Sequence, residues 1–575
     1  MSLSPNADKI FKMKYAKTKK NGNLEEWEEA CARVANHISS AESSESDRFQ
    51  LLADFTKILM ERTFIPGGRI IANAGTSIEN LMNCFVLPIE DSRHSIYETL
   101  QNAAEIFAGG GGIGYNFSHL REEGAPVQGT GGVASGPLSF MSLFDQTGEV
   151  ISQASRRGAQ MGILNVTHPD VIDFINYKNK LNSRNQRIVN EFERNVPLYN
   201  LENDDAINKV LDITLSEDQL SHFNISVGIT NDFMRAVKNG DPWHIYSVLG
   251  TDTVGEYLEV DARELMRSIA QNAWRSGDPG VFFIDKANDF NLAPYLGYIE
   301  ATNPCGEVPL LPYEPCCLGS INLERFVEGD FIDFEYLKTI TEYAVRFLDN
   351  VHDLSVTPVD KINQAARMTR RIGLGVMGWA DMLAEMGIPY DHDEAFELAE
   401  MIAKTIQTSA WEASMKIAER KGEFTGFQWD NINWDLIDRL DLERMKVRNV
   451  AVTSIAPTGS ISLIAGVNSG IEPFFNHKYT RNITKGLGNI AEETIEQSAV
   501  SNTVKTAHEI HWKDHVRMQA AWQKWTCNAV SKTINMPHSA SIEEIMEALE
   551  YAYDLNCKGL TIYRDGSRTF QILEG

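Results

Sequence analysis

The sequence predicts an α/β fold preceded by an N-terminal helical region. Residues 24–37 are rich in Glu and Ala, and residues 46–62 repeat apolar side chains at helical spacing, so both segments are predicted helices. From residue 64 onward, short apolar runs alternate with amphipathic stretches, which is typical of α/β proteins. We therefore predict a helical region over residues 1–63 and an α/β body over residues 64–575.

The alternation of strands and helices predicts the order of elements in the body. Two strand–helix pairs show it best, namely residues 84–88 with 96–107 and residues 224–228 with 230–237. The apolar run at 559–563 predicts a buried strand near the end of the sequence. Residues 178–220 are polar and rich in charges and Asn, so we predict an insertion there.

Composition restricts the class of protein. The chain has 575 residues, of which 43% are hydrophobic, and this is enough for a large buried core. Its net charge of −26 opposes binding to nucleic acid, because phosphate backbones attract surplus Lys and Arg. The first residues have no apolar signal segment, and no window approaches the roughly 18 apolar residues of a membrane helix. We expect a cytoplasmic protein that binds neither nucleic acid nor membranes.

The number and spacing of the cysteines predict that any disulfide in the chain is redox-active rather than structural. Their number is odd and their spacing irregular, unlike the framework of a secreted domain. No Cys-x-x-Cys pair is present, so no protein-bound metal is expected. The seven are Cys31, Cys84, Cys305, Cys316, Cys317, Cys527 and Cys557.

One short segment combines three reactive side-chain types. Asn303, Cys305 and Glu307 alternate, so they would project to one side of an extended loop. An amide can fix a hydroxyl group, a carboxylate can take its proton, and a thiol can act as nucleophile, metal ligand or hydrogen-atom donor. The same residues would also suit a turn with a buried cysteine.

Two loops have the composition of ligand-binding turns. The glycine run at 109–114 follows a helix-like segment, so it lacks the strand-then-helix context of a dinucleotide fingerprint. The second loop can cradle a phosphate with consecutive N–H groups, because glycine is flanked by hydroxyl residues. An ordinary turn is the alternative for both. The second loop comprises Pro457, Thr458, Gly459, Ser460 and Ile461.

These motifs occur in an order that resembles the catalytic large subunit of ribonucleotide reductases. The resemblance implies an enzyme that converts ribonucleotides to 2′-deoxyribonucleotides. It also implies a ten-stranded α/β barrel of two five-stranded halves, with a central finger loop that carries Cys305. The matching blocks are residues 66–69, 83–88, 109–116, 303–323, 371–378, 457–462 and 563–568.

The resemblance assigns a role to each reactive residue. Cys305 would become a thiyl radical and abstract the 3′ hydrogen of the ribose. Glu307 would act as general base on the 3′ hydroxyl, and Asn303 would bind the ribose hydroxyls. Cys84 and Cys316 would supply two reducing equivalents and end as a disulfide.

The same resemblance implies two nucleotide sites. The loop at 457–461 would bind the phosphates of a ribonucleoside di- or triphosphate. Asp91, Arg121 and Arg156 would bind an allosteric deoxynucleotide or ATP, with a surface ion pair as the less favoured alternative for Asp91 and Arg121. In this family the effector site lies at a two-fold interface, so a homodimer is expected.

The wording of the motifs is closest to the adenosylcobalamin-dependent class II enzymes, which makes adenosylcobalamin the expected cofactor. The oxygen-dependent class passes a radical through two adjacent tyrosines, whereas this sequence has Ile562 and Tyr563 there. One alternative is a catalytic subunit that needs a separate ferritin-like subunit, with Tyr563 as radical-transfer residue. The other is an inactive nucleotide-binding regulator, which intact Asn303, Cys305 and Glu307 disfavour.

Three features depart from the family pattern. Cys317 stands where relatives usually have Asn, so the choice of Cys316 rests on alignment alone. Residues 1–63 are too short and wrongly patterned for an ATP-cone, which predicts regulation of specificity without regulation of overall activity. The sequence ends before the C-terminal cysteine pair of the family could begin, so either the sequence is truncated or thioredoxin or a similar reductant restores the dithiol.

Overall fold

Helices surround a large sheet in the computed structural model of the chain, and this confirms the α/β class. The structure describes residues 3–127, 129, 131–153, 156–179, 220, 223–248, 257–476, 478–485, 489–496, 504–567 and 573–574. Most of the insertion predicted at 178–220 lies outside these residues. Within the described ranges, no helix combines the length and the apolar content that crossing a bilayer requires.

The elements are numbered in chain order over the described residues. The helices are α1 (Pro5–Lys14), α2 (Trp27–Ser39), α3 (Glu45–Met60), α4 (Gly68–Asn73), α5 (Arg93–Ala108), α6 (Gly136–Val150), α7 (Val171–Asn176), α8 (Asn231–Asn239), α9 (Ala262–Ser276), α10 (Ile284–Asn288), α11 (Phe334–Leu354), α12 (Asp360–Thr369), α13 (Trp379–Glu385), α14 (Asp393–Lys421), α15 (Asp435–Asp438), α16 (Ile461–Ala465), α17 (Trp512–Gln523) and α18 (Ile542–Asp554). The strands are β1 (Phe64–Pro66), β2 (Cys84–Val86), β3 (Gly112–Asn116), β4 (Pro126–Val127), β5 (Gly132–Val133), β6 (Ser152–Gln153), β7 (Arg156–Arg157), β8 (Gln160–Asn165), β9 (Phe223–Ile229), β10 (Pro242–Tyr246), β11 (Tyr257–Asp261), β12 (Gly280–Phe283), β13 (Ala301–Thr302), β14 (Pro309–Leu310), β15 (Pro315–Asn322), β16 (Val327–Glu328), β17 (Phe331–Ile332), β18 (Ile372–Met377), β19 (Lys478–Lys485), β20 (Asn489–Glu496), β21 (Thr533–Met536), β22 (Gly559–Arg564) and β23 (Leu573–Glu574).

Three helices precede the sheet. Helices α2 and α3 confirm the two predicted N-terminal helices, and α1 is an addition to that prediction. The hydroxyl of Ser4 accepts a hydrogen bond from the Ala7 N–H at 3.2 Å, and Pro5 occupies the first turn. A serine cap followed by proline favours a helix start, so the signal for α1 was present in the sequence.

The first half of the barrel consists of five parallel strands. Their order is β2, β3, β8, β9 and β12, and each neighbouring pair is parallel. Strands β2, β9 and β22 and helices α5 and α8 confirm the elements predicted for the body.

The second half is built in the same way and closes the ring. Strand β18 is parallel to β15, and parallel bridges join Leu374 to Thr453 and Ile455 to Val530. The chain continues from Val530 into β21, which is parallel to β22. Strand β15 pairs antiparallel with β2, and β22 pairs antiparallel with β12. The ring therefore has two parallel five-stranded halves, as the family resemblance implies. The halves are joined at two antiparallel seams.

A hairpin fills the interior of this barrel. Strands β13 and β14 pair antiparallel and form the finger, residues 301–310. Apolar side chains from both halves pack with it, among them Val86, Phe282 and Leu318. The absence of a side chain at Gly114 admits the finger, because a Cβ atom there would lie 1.8 Å from the Thr302 carbonyl oxygen. The finger is the central loop that the family resemblance implies.

A buried ion pair fixes the start of the second half. The Nε of Arg371 donates to Glu314 Oε1 at 2.8 Å, and its Nη1 donates to Asn528 Oδ1 at 2.8 Å. Glu314 is fully buried, and its other carboxylate oxygen accepts from the Leu311 N–H at 2.8 Å. Because Glu314 precedes β15 and Arg371 precedes β18, the pair holds these neighbouring strands together.

We expect Arg371→Met to lower the free energy of unfolding by about 3–5 kcal/mol, because it leaves the Glu314 charge buried without its partner. Urea denaturation followed by circular dichroism measures the change. Lys416→Met is the matched control, since it breaks an exposed pair with Glu342 (2.6 Å) and should cost less than about 1 kcal/mol. Equal losses in both variants would contradict the argument.

Candidate active site

The finger tip is a tight turn, so the expectation of an extended loop is wrong. The N–H of Gly306 donates to the Asn303 carbonyl at 3.0 Å, and Gly306 has a φ of +83°. The sequence carried a signal for this turn, because asparagine first, proline second and glycine fourth are the preferences of a type I turn. Asn303 and Glu307 are consequently buried, and Cys305 is exposed at the tip.

The three finger residues nevertheless line one cleft. This Cys305 cleft has a volume of about 450 Å³ and opens beside the glycine run. Cys84 lies in its wall, and the predicted phosphate loop at 457–461 forms another side. The structure therefore brings together a thiol, an amide, a carboxyl group and a hydroxyl-rich loop.

Glu307 is held by its backbone, and its carboxyl group faces the cleft. Its carbonyl oxygen accepts from the Ser454 hydroxyl and from the Ala529 N–H, each at 2.8 Å. Among the described residues, its Oε2 atom has no hydrogen-bond partner although it is buried. Burial raises the pKa of Glu307 to about 7, and the Asn303 side chain offsets part of this shift. A carboxyl group with such a pKa can exchange a proton near neutral pH.

Asn303 joins the finger to the strand wall. Its Nδ2 donates to Cys84 Sγ at 3.1 Å, and its Oδ1 accepts from the Val308 N–H at 2.9 Å. The amide is therefore fixed in orientation and holds the Cys84 thiol beside the finger.

Cys84 and Cys316 lie opposite each other across the seam between the two halves. They are register partners in the antiparallel pair of β2 and β15. Opposite residues in such a pair have Cα atoms about 4.5–5.5 Å apart, inside the range of about 4.4–6.8 Å for disulfides. None of the seven cysteines, which all lie among the described residues, forms a disulfide. A disulfide could form here without moving the backbone.

Cys317 points to the other side of β15. Its Sγ donates to the Leu348 carbonyl at 3.4 Å, and it packs in the main core under the helices. Cys316 packs instead with Cys84 in the barrel interior. Side chains alternate across a strand, so only one of two adjacent cysteines can face the finger.

Burial favours the protonated form of both Cys84 and Cys316. It raises the pKa of the Cys84 thiol well above its usual value, and nearby Glu307 adds to the shift. Burial likewise raises the pKa of the Cys316 thiol. Both residues are therefore thiols rather than thiolates at neutral pH, which is the form that can donate a hydrogen atom.

The loop at 457–461 leads into helix α16. Thr458 adopts a positive φ of 49°, and its hydroxyl accepts from the Gly470 N–H at 2.7 Å. This contact anchors the loop to a second turn and leaves Ser460 at the cleft.

Two cationic residues at this cleft were not predicted. Lys14 is the last residue of α1, and its Nζ donates to Ser460 Oγ at 3.0 Å. Arg69, from the predicted block at 66–69, donates to the Gly110 carbonyl and also lines the cleft. The contact of Lys14 spans 446 positions, so no local pattern could have revealed it.

Asp91, Arg121 and Tyr563 are not among the described residues that line the Cys305 cleft. Asp91 and Arg121 form a half-buried ion pair, with Nη2 and Oδ2 at 2.7 Å. Arg156 lies in β7, which pairs with β6. Tyr563 lies on β22 opposite Asn535 and is not among the described residues that line the cleft. The described residues contain no group of three or more His, Cys, Asp or Glu side chains suited to a metal ion.

This fold and site define a class of enzyme. A ten-stranded barrel, a finger with an exposed thiol, and a pair of buried thiols opposite each other combine dithiol redox chemistry with a buried acid–base group. The loop at 457–461, which the sequence predicts to bind phosphate, lines the same cleft.

Family comparison is consistent with this class. Residues 82–563 match the family model of the ribonucleotide reductase barrel domain, and residues 1–79 match that of its all-alpha domain. The chain therefore belongs to the ribonucleotide reductase large-subunit family, as the sequence motifs predict. The division at residue 63 stays a prediction.

Three relatives illustrate the similarity. A vitamin B12-dependent ribonucleoside-diphosphate reductase from Thermoplasma acidophilum is 39% identical over 99% of this chain and 72% of its own length. An enzyme of the same name from Mycobacterium tuberculosis is 40% identical, with coverages of 90% and 72%. A vitamin B12-dependent ribonucleotide reductase from Streptomyces clavuligerus is 29% identical, with coverages of 90% and 60%.

If Glu307 is a general base, it must be deprotonated, so kcat/KM should rise with pH through a midpoint of about 7 rather than 4.5. Asn303→Ala removes a side chain that lowers this pKa, so the residual activity should show a midpoint at higher pH. If the midpoint came from ionisation of the substrate, it would be the same in the unsubstituted chain and in Asn303→Ala. A midpoint that stays fixed in Asn303→Ala would contradict the assignment.

Proposed function

We propose that this chain reduces ribonucleoside diphosphates to 2′-deoxyribonucleoside diphosphates by a thiyl radical on Cys305. The observation that carries the proposal is the register of Cys84 with Cys316 beside the finger that presents Cys305. The names of the relatives support a diphosphate substrate. The loop at 457–461 would bind its phosphates.

The positions of the side chains support the following steps. The Cys305 radical takes the 3′ hydrogen atom of the ribose, while Glu307 takes the proton of the 3′ hydroxyl and Asn303 orients the hydroxyls. The 2′ hydroxyl takes a proton from one thiol of the pair Cys84 and Cys316 and leaves as water. The other thiol gives its hydrogen atom to C2′, the two sulfur atoms join as a disulfide, and the remaining electron passes to the sugar while Glu307 returns its proton to the 3′ oxygen. Cys305 then returns its hydrogen to C3′ and is a radical again, so two thiols have become one disulfide and one water has left.

We propose adenosylcobalamin as the cofactor, which when bound supplies the radical that oxidises the Cys305 thiol. The exposure of the thiols supports this role. Cys305 is the exposed thiol and lines the cleft, whereas Cys84 and Cys316 are buried, so an external radical source can reach Cys305 most directly.

The remaining partners are also proposals. Asp91, Arg121 and Arg156 would bind a deoxynucleotide or ATP effector. Helix α5 lies between Asp91 and Arg121 in the sequence, and helix α6 lies between Arg121 and Arg156. These two helices expose the apolar side chains of Tyr97, Leu143 and Val150, which a homodimer interface would cover. Thioredoxin or a similar reductant would open the disulfide.

Cys305→Ala should abolish turnover and leave substrate binding intact. Cys316→Ser should also stop multiple turnover, because the dithiol is lost, whereas Cys317→Ser should retain it because that thiol faces the core. Deoxynucleotide formation with dithiothreitol as reductant measures all three. Loss of activity in Cys317→Ser with full activity in Cys316→Ser would reverse the assignment.

The purified chain should form deoxynucleotide anaerobically with adenosylcobalamin, substrate and dithiothreitol, without a second subunit. Tyr563→Phe should retain this activity, since no radical would pass through Tyr563. Activity that needs a ferritin-like subunit and is lost in Tyr563→Phe would show that the radical has another source.

A further inference from the structure

The N-terminal helix α1 reaches the cleft of the barrel. Its last residue, Lys14, extends to the loop at 457–461, where its Nζ donates to the Ser460 hydroxyl at 3.0 Å. The neighbouring Tyr15 is buried against Gly68, where an added Cβ atom would lie 2.4 Å from its hydroxyl oxygen. This close packing fixes the end of α1 at the cleft.

The charge of the chain makes this position informative. The net charge is −26, so a polyanionic substrate needs a local source of positive charge. Among the described residues that line the cleft, the cationic side chains are Lys14 and Arg69. Arg69 donates to the Gly110 carbonyl on the glycine side. Lys14 donates to a hydroxyl of the loop that is expected to hold phosphate.

We propose that Lys14 is a substrate-binding residue, which donates to the phosphate group held by the loop at 457–461. This inference rests on the proposed function. A lysine ammonium has three donors, so it can keep the Ser460 hydroxyl and still bind a phosphate oxygen. Helix α1 then supplies part of the substrate site, and the N-terminal region is more than a cover for the barrel.

Binding measurements separate this role from a purely structural one. Cytidine 5′-diphosphate and cytidine serve as probes, each titrated calorimetrically against the full chain. Lys14→Met should weaken diphosphate binding about tenfold, the effect of one charge-assisted hydrogen bond, and leave cytidine binding unchanged. Lys14→Arg should recover most of the loss because it keeps the charge.

Lys12→Met is the matched control on the same helix. Lys12 pairs with Asp8 and Glu26, each at 3.0 Å, and is not among the residues that line the cleft. It should bind both probes as the unsubstituted chain does. Lys14→Gln is a second neutral variant in case Lys14→Met does not fold, and thermal denaturation checks every variant.

Three outcomes would overturn the inference. Unchanged diphosphate binding in Lys14→Met would show that Lys14 does not contact phosphate. An equal loss for cytidine and its diphosphate would show that Lys14 only shapes the cleft. Failure of the unsubstituted chain to bind the diphosphate would overturn the proposed function together with this inference, so the two failures are distinguishable.

Discussion

The active site depends on the way the barrel holds the backbone of Glu307. Ser454 and Ala529 belong to two different segments of the second half, and both donate to the same carbonyl oxygen. A polar hairpin inside an apolar barrel is costly unless its groups are bonded, so these donors make the finger position stable. Loss of either contact would weaken the attachment of the finger to the second half of the barrel.

The same burial that makes the finger costly gives the site its chemistry. Burial raises the pKa of the Glu307 carboxyl group to about 7. In the same environment Cys84 and Cys316 remain thiols, because burial disfavours the thiolate. One physical cause would therefore provide both the base and the two hydrogen donors that the proposed function needs. Cys305 differs because the turn carries it to the exposed tip.

Local patterns predicted the elements, and long-range contacts decided the details. Strand β9 and helix α5 follow from periodicity, and the order of motifs implied the barrel. The turn at Asn303 had a local signal, yet the alternation of three reactive residues favoured an extended loop instead. Lys14 had none, because its contact depends on how α1 packs against a loop far along the chain. The choice between Cys316 and Cys317 needs the direction of β15 in the folded sheet.

Both halves of the barrel contribute to the site, and the seam between them places two cysteines opposite each other. Cys84 belongs to the first half and Cys316 to the second, so their disulfide would link the halves directly. Both cysteines lie in a paired region of regular strands, where the backbone is fixed by hydrogen bonds. Under the proposed function, oxidation would change a covalent bond without repacking the barrel, and reduction would restore the initial state. The rigid seam would then allow repeated redox cycles, while the finger would present Cys305 to the substrate.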